Sequence, residues 1–148
     1  MEEIQYKITE TFEKDVSTCK RLFCKVVPKI VELLVFIGDE NKPKAVARLV
    51  YNLSEGNISL VWFSVNKEKY PELKGTGKHI LCSGIDLLYK KYVDKKDEPT
   101  VSLLLTDENN VKLAKYYKDT YGFEKRVNGV MIVDFATIKE MCEKLKLS

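Results

Sequence analysis

The sequence has a single histidine, no C-x-x-C pair among its four cysteines, and no apolar run of membrane-spanning length. Zinc sites are built from closely spaced cysteines and histidines, so this set predicts no metal site. A membrane helix needs about 20 consecutive apolar residues, and we therefore expect no membrane contact. A net charge of +3, with lysines spread among acidic residues, argues against nucleic-acid binding.

The first residues also lack the pattern of a secretory signal. Residues 1–10 mix charged and apolar side chains without an apolar run. The sequence therefore predicts an intracellular protein, cytoplasmic or nuclear, whose cysteines are reduced thiols. Hydrophobic residues make up 45% of the chain and charged residues 32%, which is ordinary for a globular protein, and 148 residues suit a single domain over residues 1–148.

The first half of the chain is dominated by patterns typical of strands. Segments rich in β-branched residues cover Ile30–Ile37, Lys44–Leu53 and Ile58–Val65, and turn residues separate them. A weaker alternation predicts a strand over Ile4–Ile8, and helical spacing of apolar residues predicts a helix over Phe12–Val27. We therefore expect a three-stranded meander preceded by a strand and a helix.

The second half begins with a change of period. An apolar stripe predicts a helix over Gly77–Tyr92, a compact apolar run predicts a strand over Val101–Thr106, and Asn110–Thr120 has helical spacing again. The second of these helices can place four side chains on one face: Leu113, Tyr116, Tyr117 and Thr120.

The last part of the chain contains a hairpin signal. Strand patterns over Phe123–Val127 and Val130–Phe135 flank Asn128-Gly129, and Thr137 begins a short terminal helix with capping-box spacing. A meander that passes into strand–helix units predicts an α+β (mixed α/β) domain. We expect a largely antiparallel mixed sheet with helices on both faces.

One loop has the chemistry of an anion site, and its sequence is Lys74-Gly75-Thr76-Gly77-Lys78. Its two glycines allow the backbone to approach a ligand closely. The first turn of the following helix has amides without helical acceptors, and the helix dipole favours negative charge there. The loop therefore predicts a phosphate cradle, with a plain glycine turn at a helix start as the alternative.

The spacing of this loop excludes two common nucleotide-binding motifs. A Walker A loop needs four residues between its glycines and a serine or threonine after the lysine, whereas His79 follows Lys78 here. A dinucleotide-binding fingerprint needs a further glycine three positions after Gly77, where Ile80 stands.

The segment Glu72–Gly77 resembles the Q/R-x-x-G-x-G/A motif of the GNAT superfamily of acetyl-CoA-dependent N-acyltransferases. The second part of that family's pattern is Asn-x-x-Ala, then a tyrosine, then Gly-Phe. This sequence has Asn110, Leu113, Tyr117 and Gly122-Phe123 at the corresponding places. The resemblance by motif covers residues 58–123, and the strand order extends it over most of the chain.

The resemblance implies a sheet that is splayed between its central strands and holds acetyl-CoA as a co-substrate. It implies that Phe63, Ser64 and Val65 bind the pantetheine arm through their backbone, together with the phosphate loop and Asn110. The phenol of Tyr117 would protonate the departing thiolate. The implied activity is acetyl transfer to a primary amine of a small molecule or peptide, and a homodimer is one arrangement that such folds adopt.

The sequence departs from the family's pattern in three places, of which the first is the link Asn66–Leu73, a few residues longer than is usual. Glu72 stands where glutamine or arginine is usual, beside the expected pyrophosphate. The gap from Tyr117 to Gly122 is one residue longer than the family's, so Tyr116 or Lys118 are alternatives for the proton donor.

A general base is also missing from the expected strand. No carboxylate occurs in Ile58–Val65, and Glu32, Glu55 and Asp134 are candidates only by proximity. His79 is expected beside the phosphates rather than in acid–base catalysis.

Two further hypotheses therefore stay open. The chain would be a non-catalytic acyl-CoA-binding domain of the same fold, or an interaction module whose glycine loop binds nothing. Trp62, in the predicted central strand, is expected to pack in the core, with the lining of the acceptor pocket as the alternative.

Overall fold

A computed structural model describes residues 3–12, 28–94, 96–105, 111–125 and 127–147. The strands of this part of the chain are β1 (Gln5–Phe12), β2 (Pro28–Asp39), β3 (Lys42–Asn52), β4 (Asn57–Val65), β5 (Thr100–Leu104), β6 (Glu124–Lys125) and β7 (Val130–Asp134). The helices are α1 (Gly77–Tyr92), α2 (Val111–Tyr121) and α3 (Phe135–Leu147). The helix predicted over Phe12–Val27 lies outside the described residues, except for Phe12, which ends β1.

The strands form one sheet in the order β1-β2-β3-β4-β5-β7-β6. All neighbouring strands are antiparallel except β4 and β5, which run parallel. The parallel pair needs a crossover connection, and α1 lies in that connection. The predicted fold class, a mixed α/β domain with a largely antiparallel sheet, is confirmed.

One face of the sheet carries the core because apolar residues alternate along β2 and β3. Leu33 and Val35 of β2 and Leu49 of β3 are fully buried on this face. Helix α1 lies directly on them at Gly84, where a Cβ atom would stand 2.7 Å from Leu49 Cδ1 and 3.0 Å from Val35 Cγ2. A larger residue at this position would push the helix off the sheet, so glycine sets the separation of the two layers.

The last hairpin differs in length from the prediction. Strand β6 is confined to Glu124–Lys125, and a 3₁₀ turn covers Val127–Gly129 before β7. Asn128 and Gly129 both have positive φ, 58° and 76°, as a tight hairpin turn requires. The terminal helix α3 begins at Phe135, directly after β7 and two residues before the predicted start at Thr137.

A covalent bond joins α1 and α3, contrary to the expectation of reduced thiols. Cys82 of α1 and Cys142 of α3 form a disulfide, with their Cα atoms 5.3 Å apart and both residues buried. An ion pair between Lys146 and Asp86, at 2.5 Å, connects the same two helices. The sequence pattern does not predict that Cys82 and Cys142 lie close together, because 60 residues separate them along the chain.

The far end of α1 is tied to the edge strand β1. The hydroxyl of Tyr92 donates a hydrogen bond to the carboxylate of Glu10, and Lys91 Nζ lies 3.8 Å from the same carboxylate. Burial, together with the hydrogen bond and the charge of Glu10, raises the pKa of Tyr92 from its ordinary value of 10.0 to about 12.

The Tyr92–Glu10 contact predicts a pH dependence of stability at high pH. Since the folded pKa lies above the unfolded one, the contact stabilises fully below pH 10 and is lost as the pH rises through 12. The wild type is therefore expected to lose more free energy of unfolding between pH 10 and 12 than Tyr92→Phe. Urea denaturation of both proteins across this range measures the difference, and parallel pH profiles would contradict the assignment.

Candidate active site

The parallel strands β4 and β5 separate partway along their length. Their register runs from Asn57 paired with Thr100 to Leu60 paired with Leu103 and ends there. Beyond Leu60, β4 continues to Val65, paired with β3 alone. Among the described residues, the backbone of this segment therefore has one edge without a strand partner, as the splayed sheet of the resemblance requires.

A β-bulge changes the direction of the side chains in this segment. The register pairs Leu49 with Leu60 but Arg48 with Trp62, so Val61 is the extra residue. The alternation of inward and outward side chains is therefore shifted by one residue, and Phe63 rather than Trp62 lies on the core side of the sheet. The expectation that Trp62 packs in the core is wrong, because 46% of this residue is exposed.

A short 3₁₀ turn at Pro71–Leu73 lies between β4 and the predicted phosphate loop, which leads directly into α1. Thr76 closes this turn: its backbone N–H and its hydroxyl both donate to the carbonyl of Leu73, at 3.0 Å and 2.6 Å. The Thr76 side chain is therefore part of the loop's own structure. The loop enters α1 with a fixed geometry.

The first turn of α1 presents unused backbone donors. The first helical hydrogen bond runs from Ile80 N–H to Thr76 O, at 3.1 Å. The amides of Gly77, Lys78 and His79 precede it and have no acceptor within the helix, and no side chain caps this end. An anion placed here would meet amide hydrogens and the positive end of the helix dipole.

The two loop glycines serve different purposes. Gly75 has a φ of +88°, which disfavours other residues, and the space around a Cβ there is open. At Gly77 a Cβ would stand 3.1 Å from the hydroxyl oxygen of Tyr121 and 3.2 Å from Phe63 Cζ. The missing side chain at Gly77 thus makes room for the protein's own aromatic residues rather than for a ligand alone.

Helix α2 supplies an aromatic wall opposite the loop. The ring centroid of Tyr117 lies 6.4 Å from that of Phe63 and 6.1 Å from that of Phe123. Burial, and secondarily the neighbouring Tyr116, raises the pKa of the Tyr117 phenol above its ordinary value of 10.0. Tyr117 therefore holds its proton at neutral pH and can act as a proton donor.

Loop, strand and helix enclose one cleft of about 700 Å³, within the size range of small-molecule sites. Its lining residues are Phe63, Ser64, Val65, Lys67, Gly75, Gly77, Lys78, Leu113, Tyr116, Tyr117, Thr120 and Tyr121. Two lysines and no carboxylate are present among these described residues. The cleft is therefore apolar in its wall and positive at its polar end.

Most of the residues predicted for cofactor binding and catalysis come together here. Phe63, Ser64, Val65, Gly75, Gly77, Lys78 and Tyr117 line the cleft. Thr76 is buried beneath the loop and Lys74 is exposed beside it, so neither lines the cleft. Asn110 lies outside the described residues.

The alternatives to Tyr117 can now be distinguished by position. Tyr116 also lines the cleft, whereas Lys118 lies at a different depression with Lys115 and Asp119. Glu72, the departure from the family's pattern, is exposed in the 3₁₀ turn and does not line the cleft.

The candidates for a general base lie elsewhere. Glu32 makes an ion pair with Arg48, at 3.4 Å, in a second depression that Trp62 also lines. Glu55 is exposed in the turn between β3 and β4, and Asp134 is exposed at the end of β7. His79 is exposed and is not part of the cleft wall.

Two cleft residues were missed by the sequence interpretation. Tyr121 follows Tyr117 by one helical turn, but the predicted helix ended at Thr120; spacing of four residues would have found it. Lys67 lies in the loop after β4 and carried no pattern of its own.

The described part of the chain has no helix long and apolar enough to cross a membrane. The same residues contain no cluster of three or more histidine, cysteine or acidic side chains that could hold a metal ion. Fold and cleft together define a mixed α/β domain in which a helix start with uncapped backbone amides lies beside a splayed strand.

Comparison with known proteins finds a likeness among solved structures alone. No family model and no curated protein matches the sequence. Among solved structures, the crystal structure of nourseothricin acetyltransferase is similar over 87% of this chain and 94% of that chain, with 11% identity and a TM-score of 0.43. A likeness of this size concerns the course of the chain and says nothing of its function.

Proposed function

We propose that this protein is an acetyl-CoA-dependent N-acetyltransferase that acts on a primary amine of a small molecule or peptide. The observation that carries the proposal is the single cleft shared by three parts: the amides at the start of α1, the unpaired edge of β4 and the phenol of Tyr117. A thioester co-substrate with a long polar arm and a pyrophosphate uses all three parts: the amides for the pyrophosphate, the strand edge for the arm and the phenol for the thiolate.

Binding of the co-substrate uses the positive end of the cleft. The amides of Gly77, Lys78 and His79 would receive the pyrophosphate, and the Lys78 and Lys67 side chains would add positive charge. The amide groups of the pantetheine arm would pair with the free edge of β4, as an added strand does. In the family that the sequence resembles, the residue at the position of Asn110 holds the same arm.

The transfer step needs little from the protein beyond position, charge and one proton. The amine nitrogen attacks the thioester carbonyl, and a backbone N–H of β4 stabilises the oxyanion, a contribution of about 3 kcal/mol. The C–N bond forms, the C–S bond breaks, and the departing sulfur takes the proton of Tyr117, whose phenolate is then reprotonated from water. The proton of the amine leaves through water, because the described lining of the cleft contains no carboxylate.

A second function is favoured by that same lack of a carboxylate. The cleft could serve a non-catalytic domain that binds acyl-CoA and signals its presence, since binding needs only the amides, the strand edge and the lysines. Thiol release distinguishes the two functions.

Coenzyme A is expected to raise the melting temperature of the protein. At 100 times its dissociation constant, a ligand stabilises by about 2.7 kcal/mol, which corresponds to about 5–10 °C for a chain of this size. Lys78→Ala should weaken binding about fivefold, since a partly exposed ion pair contributes about 1 kcal/mol. Lys90→Ala, at the opposite end of the same helix, is the matched control and should bind as the wild type does.

Three outcomes decide between the hypotheses. A melting temperature unchanged by coenzyme A and acetyl-CoA would exclude both the enzyme and the binding domain. A shift without thiol release, across a panel of amines, would support the binding domain. A shift together with acceptor-dependent thiol release supports the transferase.

A further inference from the structure

The two edges of the sheet differ in how much backbone they present. The order β1-β2-β3-β4-β5-β7-β6 places β1 and β6 at the edges of the described sheet. Strand β6 has only two residues, whereas β1 has eight, and the pairing of β1 with β2 is unbroken from Gln5 to Thr11. Among the described residues, no strand pairs with the outer edge of β1. Such an edge presents a row of backbone N–H and C=O groups to which another strand can pair.

Strand β1 lacks the features that usually protect an edge strand, which are proline, a bulge and unpaired charge. It contains no proline, and its pairing with β2 is irregular only at its last residue. Both of its charged side chains are paired within the chain. Lys7 Nζ lies 2.5 Å from a carboxylate oxygen of Glu40, and the Glu10 carboxylate lies 3.8 Å from Lys91 Nζ. Strand β1 therefore carries no unpaired charge that would repel a second strand.

Two aromatic side chains are exposed on one face of this edge. Tyr6 and Phe12 are each 47% exposed, and they are six residues apart, so the alternation of the strand places both on the face that carries Ile8. Aromatic residues are enriched at protein interfaces relative to the rest of the surface. Thr9 lies midway between the two in sequence and is exposed on the opposite face.

The spacing of these residues makes β1 complementary to a second copy of itself. In a two-fold symmetric antiparallel pair, each residue faces the one that lies equally far on the other side of the central residue. With Thr9 at the centre, Tyr6 faces Phe12 of the second copy, and Phe12 faces its Tyr6. Thr9 then faces Thr9, and Lys7 faces Thr11, so that no two like charges are directly opposite. Aromatic pairs and threonine pairs of this kind stabilise antiparallel strands.

A neighbouring register is less complementary. With Ile8 at the centre, Tyr6 would face Glu10 of the second copy, and the two aromatic side chains would no longer lie opposite each other. The register centred on Thr9 is therefore favoured.

We propose that the edge strand β1 is a homodimer interface, in which two copies pair antiparallel about Thr9 and join their seven-stranded sheets into one continuous sheet. A single pair of strands buries little surface, so the dimer is expected to be weak and to depend on protein concentration. The proposal is independent of the transferase function, because β2 and β3 separate this edge from the strand β4 that lines the cleft. Coenzyme A should bind equally to monomer and dimer.

Position 9 allows a test that depends on the register. Since Thr9 faces itself across the two-fold axis, Thr9→Lys brings two lysines together and Thr9→Glu brings two glutamates together. Each variant alone should have a dimer dissociation constant about tenfold above that of the wild type. An equimolar mixture of the two should dimerise again, because each lysine then faces a glutamate. Sedimentation equilibrium of the full chain measures these constants, and the side chain at position 9 is exposed in the monomer.

Cysteine cross-linking tests the same register by distance. Thr9→Cys brings two Cα atoms to about 4.5–5.5 Å, within reach of a disulfide. Thr11→Cys, on the same face, is the matched control, because its two copies would lie about 14 Å apart along the strands. After mild oxidation, non-reducing gel electrophoresis should show a covalent dimer for Thr9→Cys. Thr11→Cys should show no more than the wild type, whose native cysteines set the background.

Four outcomes would overturn the proposal. The first is a wild type that stays monomeric up to about 1 mM, the limit of a weak association. The second is unchanged dimerisation of both Thr9→Lys and Thr9→Glu. The third is a dimer that Thr9→Glu strengthens and Thr9→Lys weakens, since Thr9 would then face Lys7 in the register centred on Ile8. The fourth is assembly beyond two copies, because pairing of one edge with itself closes at the dimer.

Discussion

Reduction of the Cys82–Cys142 disulfide is expected to lower the free energy of unfolding by about 4 kcal/mol. The bond closes a loop of 60 residues, and loop entropy gives about this value for a loop between 15 and 100 residues long. The loop contains the whole of β5 and α2 and most of α1, so the unfolded chain gains considerable freedom when the bond is broken.

Urea denaturation with and without a thiol reductant measures this effect. The control is the double variant Cys82→Ala/Cys142→Ala, whose stability should not respond to the reductant through this pair. Cys19 and Cys24 are present in both proteins, so any effect through them is common to the two. Alkylation of Cys82 and Cys142 in the native protein under non-reducing conditions would show that the bond does not form.

Replacement of Tyr117 by phenylalanine is expected to lower kcat for acetyl transfer about 100-fold or more, the lower end of what a general acid contributes. The thiolate would then leave without a proton from the protein. Affinity for coenzyme A should stay within about twofold, because the substitution removes no contact with the loop amides or with β4. Thiol-release kinetics and calorimetric titration of the same samples measure both quantities.

The matched control for Tyr117→Phe is Tyr89→Phe. Tyr89 of α1 stacks on Phe135 with the ring centroids 5.5 Å apart and lies outside the cleft lining, so loss of its hydroxyl should leave kcat unchanged. If Tyr117→Phe retains full turnover, Tyr117 is not the acid. A large loss in Tyr116→Phe would then assign the role to the other phenol at the cleft surface.

The elements of the fold were predictable where the signal is local. The β-branched runs of β2 and β3, the apolar stripe of α1 and the Asn128-Gly129 turn each act within a few residues, and the structure confirms them. Boundaries were less accurate. Phe135 opens α3 because its side chain is buried in the core, stacked on Tyr89, which a capping pattern at Thr137 cannot show.

The sequence led to the loop and to Tyr117, which lie at one cleft, but it did not indicate how the cleft wall is built. An unbroken alternation along β4 would place Trp62 inward and Phe63 outward, but the bulge at Val61 reverses both directions. The Cys82–Cys142 bond likewise depends on how α1 and α3 pack, which no local pattern encodes.

The bulge on β4 also gives the protein a built-in optical reporter. Trp62 is the chain's only tryptophan, so all indole fluorescence comes from one place. That place is a half-exposed ring adjoining Phe63, whose other neighbours are the tyrosines of the cleft. Emission wavelength and quenching by a soluble collider therefore report the hydration of the open end of β4 without a label.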